Sequence, residues 1–365
     1  MKRILFLMVC IFFIPALFAQ AGAEDKNVDL IQAAGKGIIA DVLTALADGA
    51  DINTTSVKKY YDIFVRKVTA LMVASENGHT DVVKLLLEMG ADIQVKRQPD
   101  GANALMVASE SGHLEIIKLL LNAGADINEK RASDNITPLM MAAENGHTEA
   151  VRFLLDKGAD VNSQKSSDGL TALMMAVENG HTETVKLLLA KGARADAKRT
   201  PDNLTALMIA SDKGNIEIVK LLLEKGVNIN EKNSAGITPL MMASYKGNIE
   251  LVKLLLEKKA KVNLKRDFDN VTALMIASEN GHKEIIKLLL ENGADINAKS
   301  DNGTTSLIVT SQDGQTDIVR LLLEKGADVN AKAKIDGVDY TALIMAFRNG
   351  HAEIVEMLIQ AGAKK

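Results

Sequence analysis

The residues best equipped for chemistry are six histidines, His79, His113, His147, His181, His282 and His351, and the one cysteine, Cys10. Every histidine follows a glycine at the same point of a recurring segment, and Asn215, Asn248 and Gln315 take that point in other copies. A slot that accepts asparagine or glutamine needs hydrogen-bonding capacity rather than a titrating ring. Copies stacked a helix diameter apart, about 10 Å, hold one histidine each and cannot converge on an ion whose ligands sit about 2 Å away. Carboxylates recur in the same way, as Glu76, Glu110, Glu144, Glu178, Asp212 and Glu279. Acid–base pairs need two different environments, and these environments are copies. One cysteine closes no intramolecular disulfide and builds no thiolate cluster. No glycine-rich phosphate loop, serine nucleophile with a base or cysteine–histidine pair is visible. The sequence predicts no enzyme, no metal and no cofactor.

What has to be positioned is a surface, and the elements that position it repeat. Thr69-Ala70-Leu71-Met72 returns with its first residue at 69, 103, 137, 171, 205, 238, 272, 305 and 341, a period of 33 to 36 residues. Such a period means stacked units that bury their apolar faces on one another. Aromatics are only 3% of the chain, without Trp, so a core drawn from 47% apolar residues must be aliphatic, with fifteen methionines. That balance excludes a disordered tail and a polytopic membrane protein. The formal charge is −4, from 43 basic and 47 acidic residues. It lacks the basic excess of a phosphate-tracking protein, so no nucleic-acid partner is expected.

Each unit reads as a helix pair and a turn. In the copy at Thr137, the threonine caps a helix whose first turn takes Pro138, and Gly146 supplies a left-handed stop. A second helix runs from about Thr148, with Ala150, Val151, Leu154 and Leu155 as its apolar stripe, and Gly158 ends it. Asp168-Gly169 and its equivalents predict tight two-residue hairpins with positive φ. Alanines at Ala74, Ala108, Ala142, Ala176, Ala210, Ala243 and Ala277 let successive helices approach closely.

The pieces T-[AP]-L-M-x-A, N-G-H and [IV]-[IV]-K-L-L-L-E-x-G-A-D-[IV]-N resemble the ankyrin repeat. The resemblance covers the chain from about Val28 to Lys365. It implies an all-α ankyrin-repeat solenoid of about ten helix-turn-helix units with β-hairpin fingers, curved so that fingers and inner helices line a concave face. Residues 28–53 read as a degenerate N-terminal cap, 54–68 as an extended first finger, 69–340 as eight repeats and 341–365 as a capping repeat. The family's T-P-L-H histidine is here Met72, Met106, Met140, Met174, Met208, Met241 and Met275. Two readings apply: flexible core filler, or an oxidisable ladder.

Binding is the function left, and fingers and departures from the repeat carry its candidates. A lysine recurs at the fingers (Lys96, Lys130, Lys165, Lys198, Lys232, Lys265, Lys299, Lys332), followed in half the units by Arg97, Arg131, Arg199 or Arg266. By the resemblance these lie beside the carboxylate row, either as paired charged stripes or as a solvated surface of weak ion pairs. The long first finger gathers Tyr60, Tyr61, Phe64 and Arg66, types that dominate interface energetics. Its other reading is a cover for the apolar end of the stack. Smaller departures are Tyr245-Lys246, Phe268 on a finger, Gln312-Asp313, and the pair Tyr340 and Arg348. Tyr245 and Phe268 are in adjacent units and are expected to form one aromatic patch, and Phe347 to plug the last unit.

At the start, Lys2 and Arg3 precede an apolar run from Ile4 to Phe18 and then Ala19-Gln20-Ala21-Gly22-Ala23. This reads as a secretory leader over 1–23, too short for a bilayer span of about 20 residues, leaving a mature chain of 24–365 without membrane insertion. With no disulfide to form, the expected destination is the periplasm or exterior of a bacterium. The sequence thus predicts an exported, monomeric, non-catalytic scaffold that binds a partner protein through its concave face and fingers. The alternative is an envelope structural or stress-protective protein with an oxidisable methionine ladder.

Overall fold

The computed structural model describes residues 26–60 and 64–364, with only the backbone described between 56 and 66. The leader-like segment and Tyr61 lie outside the described residues, and so do the side chains of Tyr60, Phe64 and Arg66. The first unit, which ends at Ala193, opens with α1 (26–36) and α2 (Ile39–Ala47), then the antiparallel strands β1 (Ser56–Tyr60) and β2 (Phe64–Val68). Four helix pairs follow: α3 (Ala70–Glu76) with α4 (Thr80–Glu88), α5 (Ala104–Glu110) with α6 (Leu114–Asn122), α7 (Pro138–Glu144) with α8 (Thr148–Asp156), and α9 (Ala172–Glu178) with α10 (Thr182–Ala190). The second unit, from Arg194, holds α11 (Ala206–Lys213), α12 (Ile216–Glu224), α13 (Pro239–Tyr245), α14 (Ile249–Glu257), α15 (Ala273–Glu279), α16 (Lys283–Glu291), α17 (Ser306–Gln312) and α18 (Thr316–Glu324). It closes with the pair β3 (Ala333–Ile335) and β4 (Val338–Tyr340), then α19 (Ala342–Arg348) and α20 (Ala352–Gln360).

Local chemistry sets these boundaries. Thr69, Asn103, Thr137 and Thr171 in the first unit, and Thr205, Thr238, Thr272, Thr305 and Thr341 in the second, accept the backbone N–H three residues on. That satisfies one orphan donor of each first helix. Gly146, at φ 72°, reverses the chain between α7 and α8. First helices then stack in each unit, α3 on α5 on α7 on α9, and α11 on α13 on α15 on α17 on α19. The alanine slots make that approach possible: all seven are fully buried. The seven ladder methionines are 5% exposed or less, which places their thioethers in the seam between helices.

Two features depart from expectation. Asp336-Gly337, between β3 and β4, has positive φ at both turn residues; at Asp100-Gly101, Asp134-Asn135, Asp202-Asn203 and Asp269-Asn270 only the second residue does. These fingers close as wider turns, with Asn135 N–H donating to the Arg131 carbonyl and Arg131 N–H to that of Ile136. The finger at Asp168-Gly169 closes the same way with Lys165 in place of an arginine. In all five the aspartate Oδ1 accepts the backbone N–H two residues on, which holds the loop open as a wider turn. The other departure is Phe347, which is 75% exposed rather than plugged. Its counterparts Ser75, Ser109 and Ala143 are fully buried because the next first helix lies over that slot.

Candidate functional site

Finger geometry begins with Arg266. Its backbone N–H donates to the Val271 carbonyl at 2.8 Å, and Asn270 takes a left-handed φ of 58°. The guanidinium donates through Nε to Asp269 Oδ1 at 2.9 Å and through Nη2 to Oδ2. This bidentate bond, with burial opposing it and the Val271 N–H assisting, holds the Asp269 carboxyl below its ordinary value. The same bond raises Arg266, helped by the field of Glu279. Phe268 projects from the turn, 63% exposed, with the Arg266 guanidinium carbon 4.5 Å from its ring centre.

The next finger lies alongside. Asp301 N–H donates to the Asp269 carbonyl at 2.9 Å, and the Asn270 side-chain amide donates to the Asp301 carboxylate. Ser300 and Asn302 close this second turn through a 2.7 Å hydroxyl bond. Below both fingers run α15 and α17, and the space between is a groove of about 550 Å³. Arg266, Phe268, Glu279, Asp301, Gln312 and Asp313 are among its walls, and Met275 and Val309 supply apolar surface. Its charged side chains are Asp269, Glu279, Asp301 and Asp313 against the single guanidinium of Arg266. Phe268 and Gln312-Asp313, separate departures from the repeat, therefore meet in one place. Sequence reading singled out each but not their meeting, because a finger opposes the first helix of the following copy.

Other candidate residues are held differently. Arg97 is 3% exposed: burial works against its charge, yet bonds to Asp100 at 3.1 and 2.6 Å and the field of Glu110 raise its pKa. Arg131 and Arg199 grip Asp134 and Asp202 in the same way. Arg97 also lies 3.8 Å from Glu110, so finger and carboxylate row do adjoin there. Lys96 and Lys198 reach the next finger, at Glu129 (2.7 Å) and Glu231 (2.5 Å). Lys130 and Lys265 are exposed. Tyr245 is 58% exposed and is not among the walls of the groove.

The histidines act as staples. Nε2 of His79, His113, His147, His181, His282 and His351 donates to the carbonyl of Gly35, Glu76, Glu110, Glu144, Tyr245 and Gln312 in turn. A second stitch was not read from the sequence. Asn53, Asn128, Asn230, Asn263, Asn297 and Asn330 each accept a backbone N–H from the following copy. Recurrence at one slot of G-A-D-[IV]-N was the available signal. Among the described residues, no three His, Cys, Asp or Glu side chains gather as a metal site, and no helix is long and apolar enough to cross a membrane.

A family model described as ankyrin repeats (three copies) matches residues 30–131, 97–165, 139–233, 207–300 and 274–365. A search of curated proteins finds no match.

Proposed function

Because the chain belongs to the ankyrin-repeat family, whose repeats are generally protein-interaction modules, we propose that it is a non-catalytic scaffold that binds a partner protein. The observation that carries this reading is the groove where Phe268, Gln312 and Asp313 converge. The frame residues around it are copied from unit to unit, so a surface that discriminates partners must be written in the departures. An exposed aromatic beside fixed polar groups is the composition of an interface anchor. The fingers and the carboxylate ends of the first helices make up the rest of the contact surface, with Lys130, Lys265 and Tyr245 among its exposed positions. The arginines Arg97, Arg131, Arg199 and Arg266 shape the fingers rather than meet the partner by charge alone, since each is committed to an aspartate.

A photo-crosslinking side chain at Asp301, in the groove, tests this against one at Glu88, an exposed residue of α4, in the full chain within extracts of its source cells. A discrete adduct from Asp301 and none from Glu88 is expected. Equal adducts from both, or none from either, contradict the reading. Export to the periplasm or exterior of a bacterium is part of the same proposal, supported by the leader-like start. Mass spectrometry of the secreted protein is expected to find an N-terminus at Gly22 or Glu24, and a retained Met1 contradicts it.

A further inference from the structure

Building on that reading, we infer that the groove receives a basic segment of the partner protein, with an arginine or lysine side chain against the exposed ring of Phe268. The groove already shows what its ring accepts, since the Arg266 guanidinium lies 4.5 Å from the ring centre and most of the ring surface remains open. Arg266 is saturated by Asp269, so it does not neutralise the other acids. Glu279 acts on it only through its field, and Asp313 forms no ion pair among the described residues.

Helix stability does not explain Asp313. It is the C-cap of α17, with no basic residue in that helix's last turn. A carboxylate there faces the negative end of the helix dipole. At the same slot other copies carry Asn77, Asn145, Asn179, Asn280 and Asn349, or Lys213 and Lys246. Glu279 likewise ends α15 without a basic neighbour in the last turn. Asp313 without an ion pair, Glu279 reached by Arg266 only through its field, and an exposed aromatic ring thus face the same space, an arrangement that a cationic side chain completes by charge and by cation–π contact. The exposed lysines Lys265 and Lys299 flank these fingers but do not line the groove.

The test pans a random dodecapeptide phage library on the full chain, then measures the winning peptides against the chain and against Phe268→Ser/Asp313→Asn. Both replacements are residues that other copies carry at those slots (Ser133 and Ser167, Asn280), so the fold tolerates them; circular dichroism checks this. Enriched peptides are expected to be rich in arginine and lysine, to bind the double variant at least tenfold more weakly, and to weaken steeply with salt. Peptides that lose affinity for the variant but carry no basic bias overturn the cationic inference and leave the groove reading intact. Basic peptides that bind both proteins equally, or no enrichment at all, overturn both. In the single variant Asp313→Asn, unchanged affinity would remove the acid from the account and also contradict the inference.

Discussion

The first unit holds a recess beside Thr55, Lys67, Lys96, Gln98 and Pro99, about 460 Å³ in volume. The second unit holds the groove at Phe268, similar in size and opposite in charge. Both lie against fingers, and the first helices that follow those fingers carry the same threonine or asparagine caps and buried alanines. Among the described residues, lysines line the recess without a carboxylate, whereas four carboxylates line the groove against one arginine. The frame is therefore neutral toward ligand charge. A few side chains at finger tips and helix ends decide it, and a basic partner segment is expected to prefer the groove to the recess.

The comparison rests first on the fingers holding their shape. Arg97→Met leaves Asp100, 22% exposed, with Arg131 at 3.8 Å as its ion-pair partner. Breaking a fully buried pair costs about 3–5 kcal/mol, and the lower end of that range is expected here. A large fall in the urea midpoint is expected. The same change at Arg266, a more exposed pair, costs about 1.5–3 kcal/mol and also releases Phe268 from its stacked position. If both changes prove equally mild, the fingers are not pinned by these bonds and the groove wall is not fixed.

Acid titration sharpens this point. Asp269 and Asp202 titrate below 3.8 chiefly through their arginine bonds. At Asp100 and Asp134 burial is the largest influence and pulls upward, and the arginine bonds, the arginine charges and a backbone N–H together outweigh it. A carboxyl depressed in the folded state stabilises it above the unfolded value and loses that contribution as pH falls through the folded one. The urea midpoint is expected to drop below about pH 4, and by less in Asp269→Asn than in the parent chain. An equal drop in both would show that the finger pair carries no such linkage.

Smaller effects separate frame from surface. His147→Ala removes a staple to Glu110 and is expected to cost about 0.5–1.5 kcal/mol. His147→Asn is expected to cost less, because Asn215 and Asn248 serve that slot by capping α12 and α14. Lys96→Ala, which removes an exposed ion pair to Glu129, is expected to change stability by about 0–1 kcal/mol. Thermal melts of the three variants give the order, and a lysine effect exceeding the histidine one would reverse the assignment of roles.

Much of the frame was legible because it is local. Thr137 caps α7 and Gly146 turns the chain, each for reasons contained in its own few residues. The wide fingers were not legible, because Asp-Gly and Asp-Asn signal a tight hairpin unless the aspartate side chain accepts the backbone N–H two residues on, as at Asp134 and Asp168. Phe347 was misplaced because its exposure depends on whether a following helix covers its slot. The groove was legible only as scattered departures. Phe268 and Asp313 belong to different copies, and only the stacking of finger against helix makes them neighbours. Gln315 marks the same junction: it reaches the Glu279 carbonyl over 3.4 Å and leaves its Oε1 buried without a partner.

Hydrogen exchange of the full chain with and without an enriched basic peptide tests the central claim most directly. The account predicts slowed exchange in 266–271, 300–304 and 309–313, with 55–99 unchanged. Protection that appears around Lys67 and Lys96, or is absent from both regions, would contradict it.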